Sequence, residues 1–424
     1  MLPALAVFVV SLGIIAFARP RTGFVAPFAP EPGVTLDRPT GALLGALGMV
    51  LCGVVGPREA LERGVNYDTL LLLFGMMVVC AYMVEARLFR FTSYLVLTHV
   101  QSARRLLVAV TMVSGLLSAV LVNDTVCLMT TPLVVQCCRD ARLPPLPFLL
   151  AVAFGANAGS VATPTGNPQN MIIGTLSGIP YPRFVLALGL PALLSLVCVA
   201  ALLLVLFRRE LPKAPLPRTG LERPQFDPAL AGKCVLALLV VLGGFFAGLS
   251  MAWTALAGAV LLMVTGRRTP RRIIEQVDYV LLVFFAGLFV LVYGVGKVGL
   301  AEALFARIRP LLGHEPLRQA LVFGVFTEVL SQVVSNVPFV ILGSQWMPHF
   351  VDPPLMWLSM ALFSTLAGNL TIVGSVANII VLESAGEEGR IGFWRFLRYG
   401  AVITLVTSVV GFLILYLERR AGLI

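Results

Sequence analysis

Charge is what this sequence has least of. Asp, Glu, Lys and Arg make up 12% of its 424 residues against 58% hydrophobic, with a mean hydropathy of +0.94. That is too little polar material for the surface of a soluble enzyme, and too much apolar material for a disordered chain. Histidine is scarce too: His99, His314 and His349 form no H-E-x-x-H pair and no Ser/His/Asp arrangement, so neither zinc chemistry nor hydrolysis has its parts. The seven cysteines include no C-x-x-C pair, which excludes a zinc ribbon, and most lie inside apolar runs, which excludes a disulfide scaffold. Adjacent Cys137 and Cys138 read as packing residues. No G-x-x-x-x-G-K loop occurs, so this chain has no ATP site of its own, and no cofactor is expected. The balance of 31 basic to 21 acidic residues gives a net charge of +10. Because the basic residues sit between apolar runs, the excess points to membrane orientation and not to nucleic acid. Without a paired nucleophile and base, an intramembrane enzyme is disfavoured. Transporter and channel remain.

A bilayer core of about 30 Å needs roughly 20 apolar residues per helix. Candidate runs are 2–18, 41–56, 67–85, 184–206, 233–248, 249–265, 278–297 and 397–417. The first ends in Ala16-Phe17-Ala18, but no basic residue precedes it, so it reads as an uncleaved span and not as a signal peptide. Most of the 31 basic residues fall in 19–40, 86–105, 139–147, 207–233, 266–277 and 385–398. Placing these on the cytoplasmic side puts both termini outside. The expected location is a prokaryotic inner membrane.

The polar, proline-rich stretch near the middle suggests two halves, 1–206 and 233–424, joined by a cytoplasmic linker at 207–232. Three ordered matches support them. Asp68 and Phe74 recur as Asp278 and Phe284. Ser118–Asn123 lines up with Ser331–Asn336, each Asn breaking an apolar hairpin. Thr163-Pro-Thr-Gly166-Asn-Pro-Gln-Asn170 and Thr371-Ile-Val-Gly374-Ser-Val-Ala-Asn378 share T-x-x-G-x-x-x-N. The spacing predicts an all-α polytopic membrane protein of about ten transmembrane helices, two re-entrant hairpins and two broken helices. With about five crossings per half, the second half inserts upside down, which is the arrangement of secondary transporters. The first hairpin should have a return arm of about 20 Å against about 25 Å for its entering arm, and basic residues at both ends should return it to the cytoplasmic side.

Broken backbone in a bilayer survives only where protein or water satisfies it, so breaks at similar depth should converge on one partly hydrated cavity. The candidate binding residues are Asn123, Asp124, Thr125, Thr163, Thr165, Gly166, Asn167, Asn170, Ser335, Asn336, Thr371, Gly374, Ser375 and Asn378. Free N–H groups at the breaks suit an anion, and unwound carbonyls and Asn oxygens suit a cation such as sodium. No resident metal site is expected. Asp124 is an ionisable group deep in the membrane and hence a candidate proton carrier, although a carboxylate there also suits a helix cap. Glu328, with Ser331 and Gln332 one turn on, is a second proton-accessible candidate. Asp68 and Asp278 read as caps.

At Val122-Asn-Asp-Thr125, Thr163–Asn170, Ser335-Asn-Val-Pro338 and Gly374–Asn378 the sequence resembles the ion transporter superfamily, especially its arsenite permease and sodium/proton antiporter branch. The superfamily also holds citrate and divalent-anion/sodium symporters. The resemblance implies a scaffold and a transport domain, a homodimer and an elevator-like displacement. Related dicarboxylate and citrate carriers use two Ser-Asn-Thr tips for sodium and carboxylate. Here the tips read Val122-Asn123-Asp124 and Ser335-Asn336-Val337, and hydroxyls expected there are missing. The Asn-Asp tip resembles the arsenite permeases, which implies proton-coupled efflux of a small oxyacid. A sodium- or proton-coupled carboxylate or sulfate symporter is the alternative, and an ion channel the alternative of another class.

Overall fold

The structure, a computed structural model, describes residues 2–17, 37–100, 102–212 and 225–423. Most of the expected cytoplasmic segment 19–40, Ala18 of the apparent cleavage motif and much of the linker 207–232 lie outside the described residues. Those described form helices and no strands. In chain order they are α1 (Leu2–Phe17), α2 (Arg38–Leu51), α3 (Pro57–Glu59), α4 (Tyr67–Glu85), α5 (Leu88–His99), α6 (Ala103–Val120), α7 (Asn123–Asp140), α8 (Pro145–Ser160), α9 (Pro168–Leu176) and α10 (Tyr181–Leu206). After the linker come α11 (Pro228–Phe246), α12 (Met251–Thr265), α13 (Pro270–Ile274), α14 (Tyr279–Lys297), α15 (Leu300–Leu312), α16 (Pro316–Val334), α17 (Asn336–Ser344), α18 (Pro353–Leu366), α19 (Val376–Ser384) and α20 (Phe393–Arg420).

The helix starts follow local chemistry. Asn167-Pro168, Asp227-Pro228 and Asp352-Pro353 each place an oxygen that accepts from the N–H three residues on, followed by a proline whose missing donor costs nothing at that position. Asn66 and Asp278 cap α4 and α14 in the same way. Asp278 is therefore a cap as expected, but Asp68 is not: it lies inside the first turn, and the residue matching Asp278 is Asn66. The run 41–56 is helical only to Leu51, because Gly53 takes a positive φ of 69° that ends the helix.

Among the described residues seven helices, α4, α6, α10, α11, α14, α16 and α20, are long and apolar enough to cross a membrane; α1, α2, α8 and α12 are apolar but shorter. The protein is an integral membrane protein. Its helices pack in two groups. In one, α12 lies on α4, α2 on α14, α1 on α2 and α11 on α12. Small residues set these approaches: a side chain at Gly75 of α4 would strike the Ala255 backbone of α12 at 2.7 Å, and one at Gly287 of α14 would meet Ala42 of α2 at 3.0 Å. In the other group α8 packs on α6 and α10, α18 on α16 and α20, and α10 on α20. Gly159 of α8 lies so close to Gly115 of α6 that an added Cβ would collide with the Gly115 carbonyl. The amphipathic helices α5 and α15 lie between the groups, touching α4 and α14 on one side and α7 and α16 on the other.

Helices α6 and α7, and α16 and α17, cover the segments in which the two hairpins are expected. The return arm is short in the second, where α17 has 9 residues against 19 in α16. In the first, α6 and α7 have 18 residues each, and α7 continues past an interior Pro132. The expected shorter arm is therefore absent there.

Candidate functional site

α8 is buried around nearly its whole circumference and ends at Ser160, and α9 begins at Pro168. The connection between them, residues 161–167, is the first break. α18 and α19 are interrupted likewise at residues 367–375, where two short 3₁₀ turns replace the α-helix. Their unpaired backbone groups must find partners inside the protein, and the Asn side chains supply them. Asn170 Nδ2 donates to the carbonyls of Ser160 at 3.1 Å and Thr163 at 3.1 Å. Asn378 Nδ2 donates to those of Gly368 at 2.6 Å and Thr371 at 2.9 Å. These are the same two bonds, made at one constant sequence interval.

Each break is held by a residue from the other. Asn157, on α8 before the first break, donates to Asn369 Oδ1 at 2.9 Å and Asn378 Oδ1 at 3.2 Å, and accepts from Ser375 Oγ at 3.1 Å, all in the second break. Thr365, on α18 before the second break, donates to Asn170 Oδ1 at 3.4 Å and accepts from Asn167 Nδ2 at 3.2 Å, both in the first. The hairpins close the ring. Asn123 donates its backbone N–H to Gly166 O at 3.0 Å, and its Nδ2 lies 3.5 Å from Asn157 Oδ1. Thr163 Oγ1 donates to Ala119 O, also in the first hairpin, at 2.6 Å and lies 3.3 Å from Thr165, which meets the Tyr181 hydroxyl. Gln332 of α16 accepts from Thr371 at 2.7 Å and donates to Ala367 O at 2.7 Å.

Of the fourteen sequence-derived candidates, Asn123, Thr163, Thr165, Gly166, Asn167, Asn170, Thr371, Gly374, Ser375 and Asn378 thus belong to these breaks and the contacts joining them. The other four sit at the start of α7 and at the α16–α17 junction, outside this network. Asp124 is in the first turn of α7, half-buried, where the helix dipole favours a carboxylate. The cap itself is Val122, with no side-chain bond, so neither Asn123 nor Asp124 serves as the expected N-cap. Thr125 faces the Cys80 thiol of α4. Ser335 has φ 73° and ψ 156°, a region normally reserved for glycine, so the second tip holds backbone strain. Asn336 follows it, buried, and its Oδ1 has no partner. Glu328 accepts from Ser408 of α20 at 3.0 Å and lies off the network, while Gln332, one turn on, reaches the second break instead of Glu328.

Sequence reasoning missed Asn157, Thr365, Asn369 and Gln332. The signal for the first two was present: Asn157 precedes Thr163 by the same step as Thr365 precedes Thr371. Two buried side-chain atoms in the network, Asn123 Oδ1 and Asn369 Nδ2, have no hydrogen-bond partner, and on the neighbouring helices neither do Asn336 Oδ1, Ser118 Oγ and Ser331 Oγ. The network pair is one acceptor and one donor, groups that a polar solute can satisfy.

Two facing helix breaks, dressed with amides and hydroxyls and set inside a bundle of apolar helices, define a membrane transporter for a small ion or anion, working as a secondary transporter and not as an enzyme. The model of the citrate transporter family (CitMHS) matches residues 25–351, and the chain belongs to this family, within the ion transporter superfamily. Among similar proteins, the silicon efflux transporter LSI3 of Oryza sativa subsp. japonica is 31% identical over 95% of this chain and 96% of its own length. The putative transporter arsB of Dictyostelium discoideum is 28% identical over 96% and 90%. Two solved structures share the fold: the YdaH transporter of Alcanivorax borkumensis, with a TM-score of 0.56 and 17% identity over 99% of this chain and 97% of that one, and MtrF of Neisseria gonorrhoeae, from a class of antimetabolite efflux pumps, with 0.57 and 12% over 98% and 93%.

Proposed function

We propose that the chain exports a small uncharged oxyacid of the arsenite or antimonite type, driven by proton entry. The observation that carries this reading is the neutrality of the network: every side chain hydrogen-bonded around Asn157 and Thr365 is an amide or a hydroxyl. A citrate or sulfate held there would lack a cationic partner, whereas a polyhydroxy acid offers an O–H donor to the free oxygen of Asn123 and an acceptor to Asn369. The rice relative, a silicon efflux transporter, agrees, since silicic acid is small and uncharged near neutral pH. Asp124, beside Asn123, is the coupling carboxylate in this reading, and Glu328 is a second candidate.

The same reading takes residues 1–206 and 233–424 as two inverted repeats around the linker 207–232, with α6–α7 and α16–α17 as re-entrant hairpins. The recurring Asn bonds and the reciprocal packing of α12 on α4 and α2 on α14 support it. The helices around the breaks then move as an elevator past the α1–α2–α4 and α11–α12–α14 group, in a homodimer of the prokaryotic inner membrane with both termini outside. Ion pairs agree with two distinct faces: Glu85 and Asp227 pair with Arg268, and Arg139 with Glu388, on the face expected to be cytoplasmic; Glu59 pairs with Lys297, and Asp352 with Arg419, on the other.

A carboxylate symporter is the second reading, favoured by the N-termini of α9 and α19 at the breaks and by the family's name. The test is transport by purified protein in proteoliposomes, with arsenite, sulfate, phosphate and citrate under separately imposed proton and sodium gradients. Arsenite movement under the proton gradient is expected. Sodium-driven citrate or sulfate uptake without arsenite movement overturns the proposal, and current beyond carrier turnover makes the protein a channel.

A further inference from the structure

Away from the breaks, a polar cavity of about 570 Å³ opens where α4 ends, α5 begins and α13 lies, beside the N-terminus of α11. Its rim carries four arginines, Arg87, Arg90, Arg268 and Arg272, against two carboxylates, Glu85 and Asp227. Two of the arginines share one weak partner. Arg268 Nε lies 3.6 Å from Glu85 Oε1, and Arg272 Nη2 lies 3.5 Å from Glu85 Oε2. The Arg268 contact is too long for a hydrogen bond, and that buried Nε has no other acceptor. The second group of Arg268 is properly bonded, donating to Asp227 Oδ2 at 2.8 Å, so the side chain is fixed while one of its donors goes unused. Arg87 is held through Gln225.

The other walls add to this. α5 starts from Arg87 with no side-chain cap, so its unsatisfied first-turn N–H groups lie at the edge of the same space. The lining also includes the apolar side chains of Val84, Phe89, Met129 and Phe226. All of this lies at the end of α4, a helix apolar enough to span, and hence at the level where a bilayer meets water.

We infer that this cavity binds a phosphate group at the membrane surface, with the headgroup of an anionic phospholipid as the favoured source. Phosphate is the ligand whose several acceptor oxygens match four arginines lining one cavity against two carboxylates, Arg272 among them only loosely paired, and a free helix start. The apolar share of the lining favours a phosphate attached to an acyl chain over the free ion. Binding there would tie α5 to α13 and α11, joining the connecting helix to the helices around α4. The inference does not rest on the identity of the transported solute.

The test uses the full-length protein in nanodiscs of phosphatidylcholine and reads retention of phosphatidic acid by native mass spectrometry, with transport not involved. Phosphatidic acid should bind at least tenfold more tightly than added phosphatidylcholine. Arg90→Gln/Arg272→Gln, which leaves the Arg268–Asp227 bond intact, should weaken it about tenfold, the loss typical of a charge-assisted bond. Inorganic phosphate at millimolar concentration is the second arm. If it displaces the lipid, the phosphate group is the recognised element; if it binds and the lipid does not, the source is soluble and the lipid assignment fails. Equal retention of both lipids, or unchanged phosphatidic acid binding by the double variant while an Arg307→Gln/Arg309→Gln control on α15 also leaves it unchanged, would overturn the site.

Discussion

Asn157→Ala tests whether the two breaks are held by one side chain. In the structure Asn157 is 2% exposed and its side chain takes part in four hydrogen bonds, at 2.9, 3.2, 3.1 and 3.5 Å. Its removal strips Asn369 Oδ1 and Asn378 Oδ1 of a donor and Ser375 Oγ of an acceptor. At on the order of 1 kcal/mol for each group orphaned, the variant should lose about 2–4 kcal/mol. Thr365→Ala, at the corresponding place, breaks longer contacts of 3.2 to 3.5 Å and leaves Asn167 its bond to Ser160, so about 1 kcal/mol is expected. Ser114→Ala is the control: its hydroxyl is buried with no partner, and its loss should be neutral or slightly stabilising. Thermal unfolding of the purified full-length protein in one detergent gives the ranking, and arsenite counterflow in proteoliposomes should fall at least tenfold for Asn157→Ala. If Asn157→Ala unfolds no earlier than Ser114→Ala, water already satisfies those amides, and the account of a dry cross-brace is wrong.

Other outcomes follow from other parts of the molecule. Asp124→Asn should abolish the dependence of transport on an imposed proton gradient while substrate counterflow survives; proton-driven transport like that of the native protein would return Asp124 to a purely structural part. Gly159→Ala should prevent α6 and α8 from closing and give little monodisperse protein, whereas Gly189→Ala, which meets nothing within 4 Å, should fold normally. Equal yields would show that α8 can shift to make room. Glu59, on the α3 turn, accepts from Lys297 at 2.6 Å and Tyr293 at 2.9 Å, and chiefly the Lys297 bond lowers its pKa from 4.5 to about 2. A lowered carboxylate pKa stabilises above its unfolded value, so the native-minus-Glu59→Gln difference in unfolding temperature should be constant above pH 5 and shrink as pH falls from about 4.5 toward 2. A difference that instead grew toward acid would reverse the sign of the argument.

Composition alone settled the membrane class, because a chain with 12% charge cannot cover a soluble surface. The places where backbone breaks were legible as well: T-x-x-G-x-x-x-N names the very amides that bond back to the broken carbonyls at Thr163 and Thr371, since those contacts span only seven residues. Local caps were mostly readable, although matching Asp68 with Asp278 chose the wrong residue by two positions, because two polar residues lie near the start of α4 and only geometry shows which one turns back. What only the tertiary structure decided is the company each break keeps. Asn157 reads in sequence as one polar residue in an apolar helix, and its partners Asn369, Ser375 and Asn378 are more than two hundred residues away. The same holds for Gln332 against the second break, and for the arginines gathered from α5 and α13 around one cavity. Helix ends are set by neighbours in the chain and so are written locally. Which helices meet is set by where glycine lets two backbones approach, and that selection is made only when the whole bundle packs.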